Sequence, residues 1–185
     1  MASKEGVVVD ADVLIPILAC DFLLTGLDLA IYELAVSPIV LDEVERHLLT
    51  DFPGQDPARL AVRAQQMRFA LRNSVVREAK PTEAVDTVNA KDRHVAMAAI
   101  TARATVAVTN DRRLRGQLSN ALPKLSALSV DQFALHLFQR DVDAVHAILE
   151  TMAAKRTRPP ITVDELVARM DRAFPMFAAK WREPR

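Results

Sequence analysis

The chain has 185 residues, half of them hydrophobic, and a formal net charge of zero. That length allows one substantial core with little room for a second full-size domain, and the charge balance argues against a histone-like basic protein. A single cysteine, Cys20, excludes an intramolecular disulfide framework and suits a reducing compartment.

The zero net charge conceals a segregation. Met1 to Asp51 holds two Lys/Arg against ten Asp/Glu, whereas Phe52 to Arg115 holds twelve against six. An acidic first third therefore precedes a basic middle. No run of about 18 apolar residues is present and the N-terminus lacks the pattern of a secretory signal, so a soluble cytoplasmic protein with no membrane partner is expected.

In chain order, Val7, Val8 and Val9 form the continuous apolar run of a central strand covered on both faces. Asp10 closes that strand, where open α/β sheets place their ligands. Asp12 is the expected N-cap of a helix from Val13 to about Leu24, with Pro16 in its first turn. Ala30 to Ser37 reads as a second strand. A helix then starts near Val40, with Leu41, Val44, Leu48 and Leu49 at helical spacing and Glu43 in its first turn. Phe52 to Pro57 is a loop.

The helix from Pro57 to Asn73 places Arg59 and Arg63 on one side of an apolar stripe and Arg68 and Arg72 on the other, a pattern that fits phosphate contact or a solvated face equally well. Ser74 to Glu78 is a possible short strand. Ala79 to Ala90 has no clear period. Asp92 stands at the start of a helix whose face is Val95, Ala98, Ala99 and Ala102, where the macrodipole favours its ionised form.

Thr105 to Thr109 is a further strand, ending in Thr109, Asn110 and Asp111. The signal thins over Gly116 to Lys124 before a brief apolar run, Leu125 to Leu128. Ser129 with Gln132, and Thr162 with Glu165, are capping-box pairs for two later helices, the second running through Phe174. Between them lies an amphipathic helix from Asp141 to Ala154. These segments divide the chain into a sheet-bearing unit, residues 1–140, and a helical extension, residues 141–185.

Four acids stand out by position: Asp10, Glu43, Asp92 and Asp111. Strand ends and helix starts of a parallel sheet share one edge, so the four can converge. Oxygen-only ligands select a hard cation, Mg²⁺ or Mn²⁺, which would offset repulsion among the acids and support phosphodiester hydrolysis. Lys91, Arg93, Arg112 and Arg113 line the rim as candidate RNA phosphate contacts. His47, His94, His136 and His146 lack metal-ligand spacing and read as surface or packing residues.

VVVDADVL, SPIVLDEVERHL, KDRHVAMAA and VAVTNDRRL, in this order over residues 6 to 140, resemble the PIN domain, and within it the VapC-type toxins of VapBC toxin-antitoxin pairs. The resemblance implies an α/β fold with a central parallel sheet of about five strands between helices, and a metal-dependent endoribonuclease. It assigns Asp10, Glu43, Asp92 and Asp111 as the acidic quartet, with Asp10, Asp92 and Asp111 holding Mg²⁺ or Mn²⁺. Asp12, Thr109 and Asn110 take orienting positions beside them. Asp12 departs from the family, which often has Asn, Ser or Thr there. The partners implied are an RNA substrate, a cognate antitoxin and a second copy of the chain. Two alternatives share parts of the pattern: a haloacid-dehalogenase-like phosphatase, and a non-catalytic PIN-like module that binds RNA or protein.

Overall fold

A computed structural model describes residues 4–77 and 83–184. Its centre is a parallel sheet of four strands in the order β2-β1-β3-β4: β1 (Glu5–Val9), β2 (Tyr32–Ala35), β3 (Val106–Val108) and β4 (Ser126–Leu128). Parallel neighbours need crossovers, and helices on both faces supply them. The three valines of β1 are fully buried, as a strand covered on both sides requires.

Register positions the site. Val9 pairs with Val108 across β1 and β3, so the next residues, Asp10 and Thr109, emerge side by side at the carboxyl edge. The ladder continues one step further: Asp10 N–H donates to Val108 O over 3.1 Å, and Thr109 N–H to Leu128 O over 3.0 Å.

The sheet has one strand fewer than expected among the described residues. Where Ser74 to Glu78 was read as a strand there is one parallel bridge, Val36 with Val75, and Glu78 itself lies outside the described residues. The described part of the stretch from Ala79 to Ala90 forms two short 3₁₀ turns, Glu83–Val85 and Ala90–Asp92.

The first helix is also corrected. It divides into α1 (Ala11–Leu14) and α2 (Ile17–Asp28), with Asp10 rather than Asp12 as the N-cap of α1. Ile15 keeps helical geometry, and α1 ends at Pro16, which lacks an N–H to continue the helix and turns to an extended conformation (φ −68°, ψ 128°). The guanidinium of Arg63 then donates to Ile15 O over 2.6 Å, satisfying a freed carbonyl from 48 residues away.

Helix α3 (Pro38–Thr50) opens two residues earlier than expected on the Ser37 cap, which puts Glu43 in the second turn. Helix α4 (Pro57–Ala70) follows. All four arginines of the stretch expected as one helix are engaged inward or locally: Arg59 lies 3.8 Å from Asp56, and Arg72 falls beyond the end of α4. Arg63 holds α1, Arg68 pairs with Asp42 and Glu45 of α3, and Arg72 lies over the Phe69 ring. Helix α5 (Arg93–Thr101) lies close against β1. Gly6 serves that approach, because a Cβ there would sit 3.2 Å from Ala104 Cα.

Helix α6 (Arg112–Ala121) occupies much of the stretch where periodicity faded; only Leu114 and Leu118 anchor it, one turn apart. Beyond β4 come α7 (Val130–Arg140), α8 (Val142–Ala154), α9 (Val163–Met170) and α10 (Pro175–Trp181), and both capping boxes form. The last expected helix is thus two, since Pro175 opens α10 at a position that suits proline. Phe22 of α2 packs against Phe174 and Phe177, while Arg156 reaches Asp21 over 2.9 Å.

Candidate functional site

Asp10 caps α1 by accepting the Ala11 N–H at Oδ1 over 2.7 Å. Its other oxygen accepts from the fully buried Thr109 hydroxyl over 2.9 Å, while the Thr109 oxygen accepts Asp111 N–H over 3.2 Å. One hydroxyl thereby fixes two of the four acids. Asp111 caps α6 in turn, with Oδ1 taking the N–H groups of Arg113 (2.7 Å) and Leu114 (3.1 Å) and sitting at the favourable end of the helix dipole.

Asp12 does something different from the capping expected of it. Its Oδ2 accepts Asn110 N–H over 2.8 Å and lies 3.3 Å from the Thr109 hydroxyl, so it ties α1 to the end of β3. Its Oδ1 is buried with no partner among the described residues. Burial first, and the charge of Asp10 second, push the Asp12 carboxyl up to about 7, against opposing hydrogen bonds from Asn110 and Thr109. Asn110 also reaches outward, accepting Val130 N–H at Oδ1 over 3.2 Å. The turn after β3 is therefore tied to both α1 and α7.

Glu43 and Asp92 complete the edge. Burial raises the pKa of Glu43, with Asp10 and Asp92 adding and His94 and Arg46 opposing. Asp92 is raised by burial as well, with Asp10 and Asp111 adding, against Lys91 and His94. These mutual effects place the four acids within reach of one another's charge. They do not form a closed cage: among the described residues, no three His, Cys, Asp or Glu side chains are grouped closely enough to hold a metal ion. All four acids are half-buried, with the Asp92 and Glu43 side chains 19 % and 29 % exposed, so the edge they share is open to solvent.

The rim cations separate into two kinds. Lys91 lies 3.6 Å from Asp92, and its side chain is largely exposed. Arg112 and Arg113 open α6 and face solvent. Arg93 is engaged by its own loop, donating to Val88 O over 3.2 Å and Asp86 O over 3.1 Å. Arg115 donates to Thr109 O over 2.8 Å and so braces the same turn.

Two residues beside the site escape a reading of sequence. His94 is buried on α5 with Nε2 3.8 Å from Glu43 Oε1, although nothing in its spacing marks it. Asp131, also buried, accepts Met176 N–H (3.0 Å) and Phe177 N–H (2.9 Å). It links the first turn of α7, next to the Asn110 contact, to the start of α10; only its place after the Ser129 cap could have drawn attention to it.

Residues 130–183 match the family model of the VapC50 C-terminal domain. The match begins at α7, within the segment the sequence reading gave to the first unit, and points toward the VapC family of toxins. No curated protein and no solved structure matches the chain. No described helix is long and apolar enough to cross a membrane.

Proposed function

We propose that the chain is a VapC-family toxin that hydrolyses RNA phosphodiester bonds with a carboxylate-held Mg²⁺ or Mn²⁺. The observation that carries this reading is the convergence of Asp10, Glu43, Asp92 and Asp111, from four separate elements, on one sheet edge. The donor chemistry fits the cation. All candidate ligands are oxygens, and the orphan Asp12 Oδ1 is a buried acceptor within the cluster. An open edge suits an ion that retains several waters and takes only a few carboxylates.

Asp10, Asp92 and Asp111 would hold the cation, which lowers the pKa of a bound water and offsets charge on a phosphate oxygen. Thr109 keeps Asp10 Oδ2 pointed at the edge, and Asn110 does the same for Asp12. Glu43, with its pKa raised by burial, takes the proton of the attacking water at its carboxylate. Lys91, Arg112 and Arg113 contact phosphates on either side of the cut bond. The reading implies a cognate antitoxin and a second copy of the chain as protein partners, and a cytoplasmic setting. The exposed Ile39, Leu49, Val62 and Phe69 of α3 and α4 offer apolar surface for such contacts.

The phosphatase alternative would need Asp12 free as a general acid, whereas its Oδ2 accepts from the Asn110 N–H. The deciding experiment incubates the full chain with a mixed-sequence RNA in Mn²⁺, in Mg²⁺ and in EDTA. Cleavage only with metal, abolished by Asp10→Asn and by Asp92→Asn, is the expected result. Metal-independent cleavage, or none by the parent in any condition, would overturn the proposal.

A further inference from the structure

His94 has no part in the chemistry assigned above, and its surroundings are unusual for a packing residue. It sits in the first turn of α5, 6 % exposed, among Val95, Ala96, Ala98 and Ala99, which already supply the apolar contacts of that helix. Its Nδ1 is buried and has no hydrogen-bond partner among the described residues. A buried polar atom left unpaired costs about 1–3 kcal/mol, a cost that an aromatic ring without nitrogens would not carry. The imidazole is therefore kept for its other nitrogen.

That nitrogen, Nε2, lies 3.8 Å from Glu43 Oε1, within ion-pair range though longer than a hydrogen bond. With a carboxylate on one side and no acceptor on the other, the N–H that can serve a partner is the one on Nε2, facing Glu43. Glu43 also feels the charge of Arg46, three residues along its own helix, which competes for the same carboxylate.

We propose that His94 is the positioning residue for Glu43: its Nε2–H holds the carboxylate turned into the acid edge, against the pull of Arg46. This inference rests on the nuclease reading, because it assigns His94 to the proton-accepting role given there to Glu43. The cation belongs to Asp10, Asp92 and Asp111; His94 also bears on Asp92, but its nearest contact is Glu43, so its loss falls on turnover far more than on metal affinity.

The test uses the full chain and the paired variants His94→Gln and His94→Asn, whose amide nitrogens fall near the Nε2 and Nδ1 positions respectively. Turnover and KM on a short fluorogenic RNA, Mn²⁺ affinity by calorimetry without RNA, and melting in EDTA are read for each. His94→Asn is expected to lower kcat about 10- to 100-fold, the usual effect of removing such a supporting partner. KM, Mn²⁺ affinity and EDTA melting stay near the parent, and His94→Gln recovers most of the lost kcat. In a Glu43→Gln background, His94→Asn should cost kcat nothing further, since the proton acceptor that His94 positions is already gone.

Equal impairment of the Gln and Asn variants, a loss of Mn²⁺ affinity parallel to that of kcat, or a full additional loss in the Glu43→Gln background would each overturn the proposal. A parent chain that neither binds Mn²⁺ nor cleaves RNA would overturn the nuclease reading itself, and this inference with it.

Discussion

Asp12 Oδ2 accepts the Asn110 N–H over 2.8 Å while its carboxyl is pushed up to about 7, so the contact that fastens α1 to the end of β3 is made by a reluctant anion. Unfolded, the group titrates near 3.8. Between the two values the folded state holds the extra proton, so stability is greatest below the lower value, declines as pH rises toward 7, and levels off above it. The span corresponds to at most about 4 kcal/mol. Asp12→Asn keeps an oxygen for Asn110 and removes the charge. Measured in EDTA, it should melt several degrees above the parent at about pH 8 and lose less stability from pH 5 upward. A variant whose melting follows pH as the parent's does would show that Asp12 does not set this dependence.

Asp10 and Thr109 should respond in opposite ways. Asp10→Asn leaves an acceptor for Ala11, lets the Thr109 hydroxyl turn to Asp12 Oδ2 at 3.3 Å while its oxygen accepts from the new amide, and removes one charge from the edge, so the metal-free fold should be at least as stable while cleavage falls by about 100-fold or more. Thr109→Val preserves shape but strands Asp10 Oδ2 and the Asp111 N–H, and should cost about 1–3 kcal/mol, which Thr109→Ser restores. Urea titration of both Thr109 variants, beside EDTA melting of Asp10→Asn, checks the pair.

Arg112 and Arg113 should differ from Arg93. Removing the first two takes away about two phosphate contacts, so the salt dependence of RNA binding in EDTA should drop by roughly 1.4 in log-log slope. Arg93→Ala releases the carbonyls of Asp86 and Val88, so it should lower the melting temperature and leave the slope unchanged. Anisotropy of a labelled single-stranded RNA over a salt series distinguishes the two.

Deleting residues 141–185 should do more than reduce solubility. It strips Asp131 of both its N–H partners, leaves Asp21 without Arg156, and uncovers Phe22 and Phe138. A carboxylate left buried and unpaired, with aromatic surface exposed beside it, should abolish cooperative melting. A truncated chain that still melts in one transition and binds Mn²⁺ like the parent would establish residues 1–140 as a self-sufficient unit.

Local signals carried the strands and several of the caps. Val7 to Val9 and Val106 to Val108 are buried β-branched runs with Ala107 between the latter pair, and Ser129 with Gln132 and Thr162 with Glu165 form the reciprocal caps their spacing encodes. The positions of the acids followed, because a strand end and its successor share an edge. Partners distant in sequence were not legible. The break between α1 and α2 is completed by Arg63, Asp12 is drawn from its expected cap by Asn110, and His94 looked like one more packing residue of a small-residue helix. Helix α6 was missed because two leucines among polar residues give too little period to read.

The bond between Thr109 and Asp10 spans 99 residues and that between Asn110 and Asp12 spans 98, while Asp131 waits for Met176 and Phe177 near the end of the chain. During translation, a nascent chain shorter than 109 residues carries Asp10 and Asp12 with neither of these partners. The braces that hold the turn after β3 come from Asp12, Arg115 and Val130, so the last of them follows the turn itself by some twenty residues. Assembly of the acid edge thus waits for the strand and turn around Thr109, and a product terminated before that residue contains its first acids without the geometry to use them.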